Sequence, residues 1–225
     1  TSLDLSGWNV SKVKDMSYMF GDCKNLTTIN ISGWDTTVCQ NFDAMFNDCE
    51  SLVSIDANEL EIDSATNIAQ IFEGCLSLKK LDLSSWNTSN VETSYEMFDR
   101  CQALEEVTLG TGFEFVETTG RLPAPSSTYI TGATGLWYRT RDGKSYTPAN
   151  VPNNEAATYV AVYTAYSITY NLNGGTLTSG NPSSYSIYTE TITLGTPTKT
   201  GYTFDGWTGS NGTNPQTTVK IPKGS

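Results

Sequence analysis

The chain has 225 residues, a net charge of −11 and no histidine. The absence of histidine excludes Ser-His-Asp and Cys-His nucleophilic sites, histidine-ligated zinc and imidazole proton transfer. Residues 1–110 hold 18 acidic and 6 basic side chains, a net charge of −12, so they carry all of the acidity. An acidic surface without a basic stripe repels phosphate backbones, and we therefore expect no nucleic-acid binding.

A 26-residue repeat organises the first 110 residues. A unit this short cannot bury its own apolar side, so its copies must stack and share one core. We therefore predict that the four phenylalanines of the repeat lie in one row. The positions that recur are Phe20, Phe46, Phe72 and Phe98, then Cys23, Cys49, Cys75 and Cys101, and then Leu26, Leu52, Leu78 and Leu104.

Each repeat combines two apolar patterns. Its tail alternates apolar and polar residues, as at Ile29 and Ile31, which predicts a short strand with one buried face. The segment before the strand has apolar residues at spacings of three and four, as at Met16, Met19 and Cys23, which predicts a short helix. Together they predict an α/β leucine-rich-repeat solenoid, with strands on a concave wall and helices behind it.

Two phrases of the repeat resemble the BspA-type leucine-rich repeats of bacterial surface proteins. They are the seven residues that begin Leu3-Asp-Leu-Ser-Gly-Trp and the eight that begin Met16-Ser-Tyr-Met-Phe. The third copy departs from the pattern, because Leu60 stands where the other copies have tryptophan. The resemblance covers residues 1–110 and implies an extracellular location on the bacterial cell surface.

The polar residues of the predicted strands form columns along the concave wall. One interpretation is an acidic binding surface, and the other is a solvated sheet face, since the columns contain no aromatic anchor. On the first interpretation, the candidate ligand-binding residues are Thr28, Asn30, Ser54, Asp56, Lys80, Asp82 and Glu106.

The repeated cysteines and tryptophans each allow two interpretations. A cysteine between apolar residues is expected to pack as a small buried hydrophobe, although neighbouring copies could also form disulfides. A zinc cluster is not expected, because C-x-x-C is missing and a straight row is not tetrahedral. The tryptophan column of Trp8, Trp34 and Trp86 is expected at the edge of the core, with a carbohydrate-stacking platform as the alternative.

The 26-residue period is predicted to end at residue 110. Residues 111–166 are rich in turn residues and short β-type runs, and we expect them to cap the open end of the repeats. The residues expected to cover the last repeat are Phe113, Phe115, Trp137 and Tyr159.

A third composition begins at residue 167. The phrases Tyr170-Asn-Leu-Asn-Gly-Gly-Thr and Gly201-Tyr-Thr-Phe-Asp-Gly-Trp resemble the Listeria-Bacteroides repeat, also called the internalin B-type repeat. The resemblance implies that residues 167–225 form a small β-grasp-like module. The strand that usually closes this module is missing, so we expect it to be truncated.

These observations predict a non-enzymatic, secreted cell-surface fragment, an adhesin that binds a host or bacterial surface protein or glycan through the concave face. The alternative is a passive spacer that projects another domain. We expect no cofactor, no metal and no membrane insertion, because no apolar run reaches the roughly 18 residues of a membrane span. A fragment is expected because the first residues already lie within a repeat.

Overall fold

A computed structural model describes residues 1–177, 180–210 and 212–224. The chain divides into two compact units, Thr1–Val162 and Tyr163–Ser225. The three-segment division expected from the sequence stays a prediction. In the described residues, no helix has the length and apolar character that a membrane crossing requires.

Short parallel strands of the repeats lie side by side in the first unit. They pair in register, so that each residue faces its equivalent 26 positions along the chain, and one further bridge joins Thr28 to Ser54. We number the copies 1 to 4 as residues 1–26, 27–52, 53–78 and 79–104. The repeat strands are β1 (Ser2–Asp4), β2 (Thr28–Asn30), β3 (Lys80–Leu83) and β4 (Glu106–Leu109).

The predicted α/β leucine-rich-repeat solenoid is wrong. The described residues contain no α-helix, and their regular structure is limited to short strands and two 3₁₀ turns, at Ala57–Glu59 and Pro148–Asn150. The fold is therefore mostly β. In copy 3, the 3₁₀ turn begins shortly after Ser54, the residue that bridges to Thr28.

A ladder of turns replaces the predicted helix in each copy. Within copy 1, the N–H of Met19 donates to the carbonyl of Met16, but the N–H of Met16 donates to Asn41 of the next copy, at 2.8 Å. Tyr18 and Asp22 adopt left-handed backbone, with φ of 56° and 60°. An α-helix of L-residues cannot contain left-handed positions every fourth residue, so the segment turns repeatedly instead.

One apolar core runs through the first unit. The rings of Phe20, Phe46, Phe72 and Phe98 stack in one row, with centroids 5.4, 6.0 and 6.3 Å apart. These separations lie within the favourable range for aromatic pairs. The phenylalanine row predicted from the period is therefore confirmed.

The stacking continues beyond residue 110. The N–H of Thr88 donates to the carbonyl of Gly112, and the N–H of Glu114 donates to Oγ1 of Thr88 at 2.8 Å. Gly110 lies so close to copy 4 that an added Cβ would be 2.0 Å from the carbonyl oxygen of Ser84, 26 residues earlier. The segment after the last recognisable copy thus follows the same path without the repeat's side chains.

Residues 111–162 complete the first unit. Strand β7 pairs antiparallel with β4, which places Tyr159 opposite Val107, and the sheet order is β3-β4-β7-β5-β6. The aromatic residues expected to cover the last repeat are buried in the same core as the repeats. The three added strands are β5 (Trp137–Arg139), β6 (Ser145–Tyr146) and β7 (Ala157–Val160).

The second unit consists of three antiparallel strand pairs. Its described residues contain no helix, and only Ser186 and Val219 are buried, so the predicted β-grasp-like arrangement is not formed. With so little buried surface, the core of the unit is too small for a larger sheet to pack on it. The pairs are β8 (Tyr166–Ser167) with β9 (Ser184–Tyr185), β10 (Ile192–Thr193) with β13 (Lys220–Ile221), and β11 (Trp207–Gly209) with β12 (Gly212–Gln216).

Candidate functional site

The outward residues of the repeat strands form a surface that we call the polar wall. Strand register aligns them in two columns, and six of the seven candidate ligand-binding residues are exposed, while Glu106 is half-buried. The first column is Ser2, Thr28, Ser54, Lys80 and Glu106, and the second is Asp4, Asn30, Asp56, Asp82 and Thr108.

Residues of the first column bond to one another across copies. The hydroxyl of Thr28 donates to that of Ser2 at 2.9 Å, and Nζ of Lys80 lies 3.3 Å from the carboxylate of Glu106. An exposed ion pair of this kind contributes only about 0–1 kcal/mol to stability. Lys80 and Glu106 therefore keep most of their capacity to bind a partner.

Residues of the second column shape the turns at the ends of the strands. The side-chain oxygens of Asp56 and Asp82 accept hydrogen bonds from the backbone N–H two residues later, at 3.3 and 2.9 Å. Burial raises the pKa of Asp82, but the hydrogen bonds from Ser84 outweigh it, so the pKa lies below its usual value. Asp4 and Asn30 make the same turn. The aspartates of this column act as hydrogen-bond acceptors, while the amide of Asn30 also donates to Oδ1 of Asp4 at 3.0 Å.

The structure adds an aromatic residue to the polar wall. In the continuous sheet, Glu106 pairs with Val160, which pairs with Tyr138 on β5. Paired residues share one face of a sheet, so Tyr138, which is half-buried, stands in line with Lys80 and Glu106. The sequence predicted the strand at residues 135–139 but not its place beside the repeats.

A cluster of carboxylates lies on the turn ladder. Glu73, Glu96 and Asp99 come from two copies, and one oxygen from each lies within 4.8 Å of the others. Burial and the nearby charge of Glu96 raise the pKa of Glu73. Oxygen ligands of this kind could hold a divalent cation, but Arg100 already lies 3.8 Å from Glu73 and 2.9 Å from Asp48. Sequence reasoning missed this cluster because Glu73 lies 23 and 26 residues before the other two members.

The buried thiols of the repeat donate hydrogen bonds to backbone carbonyls. Sγ of Cys49 donates to the carbonyl of Phe20 at 3.2 Å, and Sγ of Cys101 donates to Phe72 at 3.0 Å. Burial raises the pKa of Cys49 and of Cys101 to about 12, so both stay protonated near neutral pH. All five cysteines are free thiols, and Cys23 is the exposed one. Their arrangement agrees with the packing interpretation.

The tryptophan column lies at the edge of the core in the later copies. Trp34 and Trp86 are 4% and 1% exposed, and their indole N–H groups donate to the carbonyls of Leu5 and Ala57, both at 2.9 Å. Trp8 in copy 1 is 55% exposed. The buried tryptophans leave no ring face for a carbohydrate.

The second unit has a cleft beside its aromatic residues. Its volume is about 780 Å³, and Tyr170, Phe204 and Trp207 line it. The rings pack on one another, with centroids 5.6 and 5.4 Å from that of Trp207. Gly206 is required here, because an added Cβ would lie 2.4 Å from the backbone nitrogen of Gln216. The cleft is thus the open side of the small aromatic core.

Two family models match parts of the chain. Residues 166–224 match the Listeria-Bacteroides repeat domain, which confirms the resemblance seen in the motifs of this region. Residues 1–110 match a family described as "Mycoplasma protein of unknown function, DUF285", which spans the four copies but does not directly confirm the BspA-type resemblance. No curated protein and no solved structure matches the chain.

Proposed function

We propose that this chain is part of a bacterial cell-surface protein and that the polar wall binds a protein or glycan partner. Matches of residues 1–110 and of residues 166–224 to two families that typically occur on bacterial surface proteins support the surface location. Stacked repeats offer extended surfaces, which suit macromolecular partners better than small substrates.

The row of Lys80, Glu106 and Tyr138 carries the binding proposal. It places a cation and a carboxylate side by side on one sheet face, with a half-buried aromatic ring two strands from the carboxylate, beyond Val160. Tyrosine with charged neighbours is typical of residues that dominate binding energy in protein interfaces. The neighbouring second column adds carboxylate and amide acceptors, so the partner should present hydroxyl, amide or ammonium donors.

A binding role without catalysis fits the chemistry of the wall. One oxygen of each carboxylate in the second column accepts a turn hydrogen bond, and the buried thiols remain protonated. Neither arrangement provides a general base or an activated nucleophile. We therefore propose that the chain is not an enzyme.

Charge-neutralising substitutions test the proposal without removing the turns. Asp56→Asn, Lys80→Gln and Asp82→Asn together keep every turn acceptor, and Tyr138→Ala removes the ring. We expect each set to weaken binding to a partner found among mucins, matrix proteins and glycans by about tenfold or more. The thermal midpoint of the charge variant should not change. If both the triple charge variant and Tyr138→Ala bind the partner with unchanged affinity, the polar wall is not the binding surface.

A passive spacer is the second candidate function. The bonds within the first column and the turns of the second column satisfy many wall groups internally, which favours this alternative. A spacer predicts no binding in any of the three screens. If no partner binds, the spacer function is preferred. A single partner that binds saturably rules it out.

A further inference from the structure

The second unit contains a tight turn at Asn173 and Gly174. The N–H of Gly175 donates to the carbonyl of Leu172 at 2.8 Å, and φ is 46° at Asn173 and 81° at Gly174. These values belong to a type I′ turn, for which Asn-Gly is a preferred pair. Residue 176, just after the turn, bridges to residue 198, so the turn determines how these two segments pair.

The side chain of Asn173 is not used by the fold. It is exposed, and within the described residues no hydrogen bond reaches its amide. Other asparagines use this group, as at Asn30 and Asn171, whose side-chain oxygens accept from the backbone N–H two residues later. The backbone N–H of Gly174 also has no acceptor among the described residues. A nitrogen and a side-chain carbonyl that can close a five-membered ring are therefore both available.

Lys199 places a positive charge on the peptide group between these two residues. Its Nζ donates to the backbone carbonyl of Asn173 at 2.7 Å and lies 3.9 Å from the position that a Cβ of Gly174 would take. When the N–H of Gly174 loses its proton, the negative charge is shared with this same carbonyl oxygen. An ammonium group that already bonds to the oxygen stabilises the anion as it forms.

We propose that Asn173 is a self-modification site, at which the chain converts this asparagine to aspartate and isoaspartate. The deprotonated nitrogen of Gly174 attacks Cγ of Asn173, and the side-chain nitrogen takes a proton from water and leaves as ammonia. The N–Cγ bond that forms closes a succinimide ring. Water then adds to either ring carbonyl and breaks its bond to nitrogen, so one ammonia is lost and one water is consumed. Neither step requires a cofactor or an oxidant.

The modification changes the turn in two ways. Either product places a carboxylate beside Lys199, where it competes with the carbonyl of residue 173 for the ammonium group. Isoaspartate also routes the backbone through Cβ, which lengthens the two-residue loop and disturbs the pairing of Thr176 with Thr198. The reaction is therefore a slow, irreversible change in the strand pairing of the second unit.

Peptide mass mapping of the full chain during incubation in mildly alkaline buffer tests the proposal. Asn211 is the other asparagine that precedes glycine, and Asn211→Gln removes it from the comparison in every chain. The peptide that contains Asn173 should gain about 1 Da, and a methyltransferase specific for isoaspartate should label it. We expect Lys199→Gln to slow this gain about fivefold, because the anion loses its ammonium partner. Lys199→Arg keeps a cationic donor and should stay within about twofold of the parent rate.

Urea provides the control for the role of the fold. In the unfolded chain Lys199 no longer lies at the turn, so the parent and Lys199→Gln should gain mass equally fast. Absence of any gain at residue 173 in the native parent would overturn the proposal. An equal or faster gain in native Lys199→Gln would also overturn it. Slowing of Lys199→Arg as strong as that of Lys199→Gln would do the same, because charge at this carbonyl would then not control the reaction.

Discussion

The indole N–H of Trp86 donates a hydrogen bond at 2.9 Å to the carbonyl of Ala57, across the boundary between two copies. Trp34 does the same to Leu5, and both donors lie 29 residues after their acceptors. Each buried tryptophan therefore ties its copy to the one before it and fills the edge of the core at the same time.

Trp86→Phe should destabilise the first unit by about 2 kcal/mol, because it removes the buried hydrogen bond to the carbonyl of Ala57, which keeps only the N–H of Leu60 as a donor, and because it removes packed volume. The matched control is Trp8→Phe, which changes an exposed ring and should cost less than about 0.5 kcal/mol. Urea unfolding of both variants gives the two free energies. Equal losses of unfolding free energy in the two variants would show that the hydrogen bond between Trp86 and Ala57 does not stabilise the first unit.

Gly110→Ala should destabilise the first unit by about 2 kcal/mol, because the new methyl group would lie 2.0 Å from the carbonyl oxygen of Ser84 and must displace backbone. Gly7→Ala is the matched control, since no atom lies within 4 Å of its added Cβ. It should change the unfolding free energy by less than about 1 kcal/mol. A tolerated alanine at residue 110 would mean that the segment after copy 4 does not stack on the repeats.

Buried thiols should make the first unit less stable in alkali. The pKa of Cys49 rises from its usual 9.0 to about 12 on burial, so the unfolded chain loses this proton first and stability falls as pH rises from about 9 towards 12. Between pH 8 and pH 10, the loss should be about 1 kcal/mol for this thiol.

Cys49→Ala isolates the contribution of this thiol. Its packing cost is the same at both pH values, so the variant should lose less unfolding free energy between pH 8 and pH 10 than the parent, by about 1 kcal/mol. Urea unfolding at the two pH values measures the difference. An identical pH dependence in parent and variant would show that the thiol is not buried as described.

The helices were mispredicted because two structures satisfy the same apolar spacing. Residues at intervals of three and four face one side of a helix, but they also face one side of a stack of tight turns. The left-handed backbone decides between them, and it falls on Tyr18, Ala44, Gln70 and Glu96, residue types that rarely adopt it. The second left-handed column carried a signal in three of its four members, because Asp22, Asp48 and Gly74 are of types that favour that conformation, whereas the fourth member is Arg100.

Side-chain rows were predictable where the period alone determines contacts. The stacking of Phe20 on Phe46 and the alignment of Lys80 with Glu106 follow from equal spacing in the chain. The position of Tyr138 could not be predicted in this way, because it depends on which strand of residues 111–162 pairs with β4. That choice is made by tertiary packing, and no local pattern encodes it.

Register between copies can be measured directly by disulfide formation. The structure pairs Thr28 with Ser54, so their Cα atoms should lie about 5 Å apart, within the range of a disulfide. In a Cys23→Ser background, the double variant Thr28→Cys with Ser54→Cys should therefore lose two free thiols on mild oxidation. Thr28→Cys with Asp56→Cys, shifted by two residues and so about 8 Å apart, should keep both. Copies that stack in the 26-residue register give the first result, and equal crosslinking of both pairs, or crosslinking of the shifted pair alone, would contradict the account.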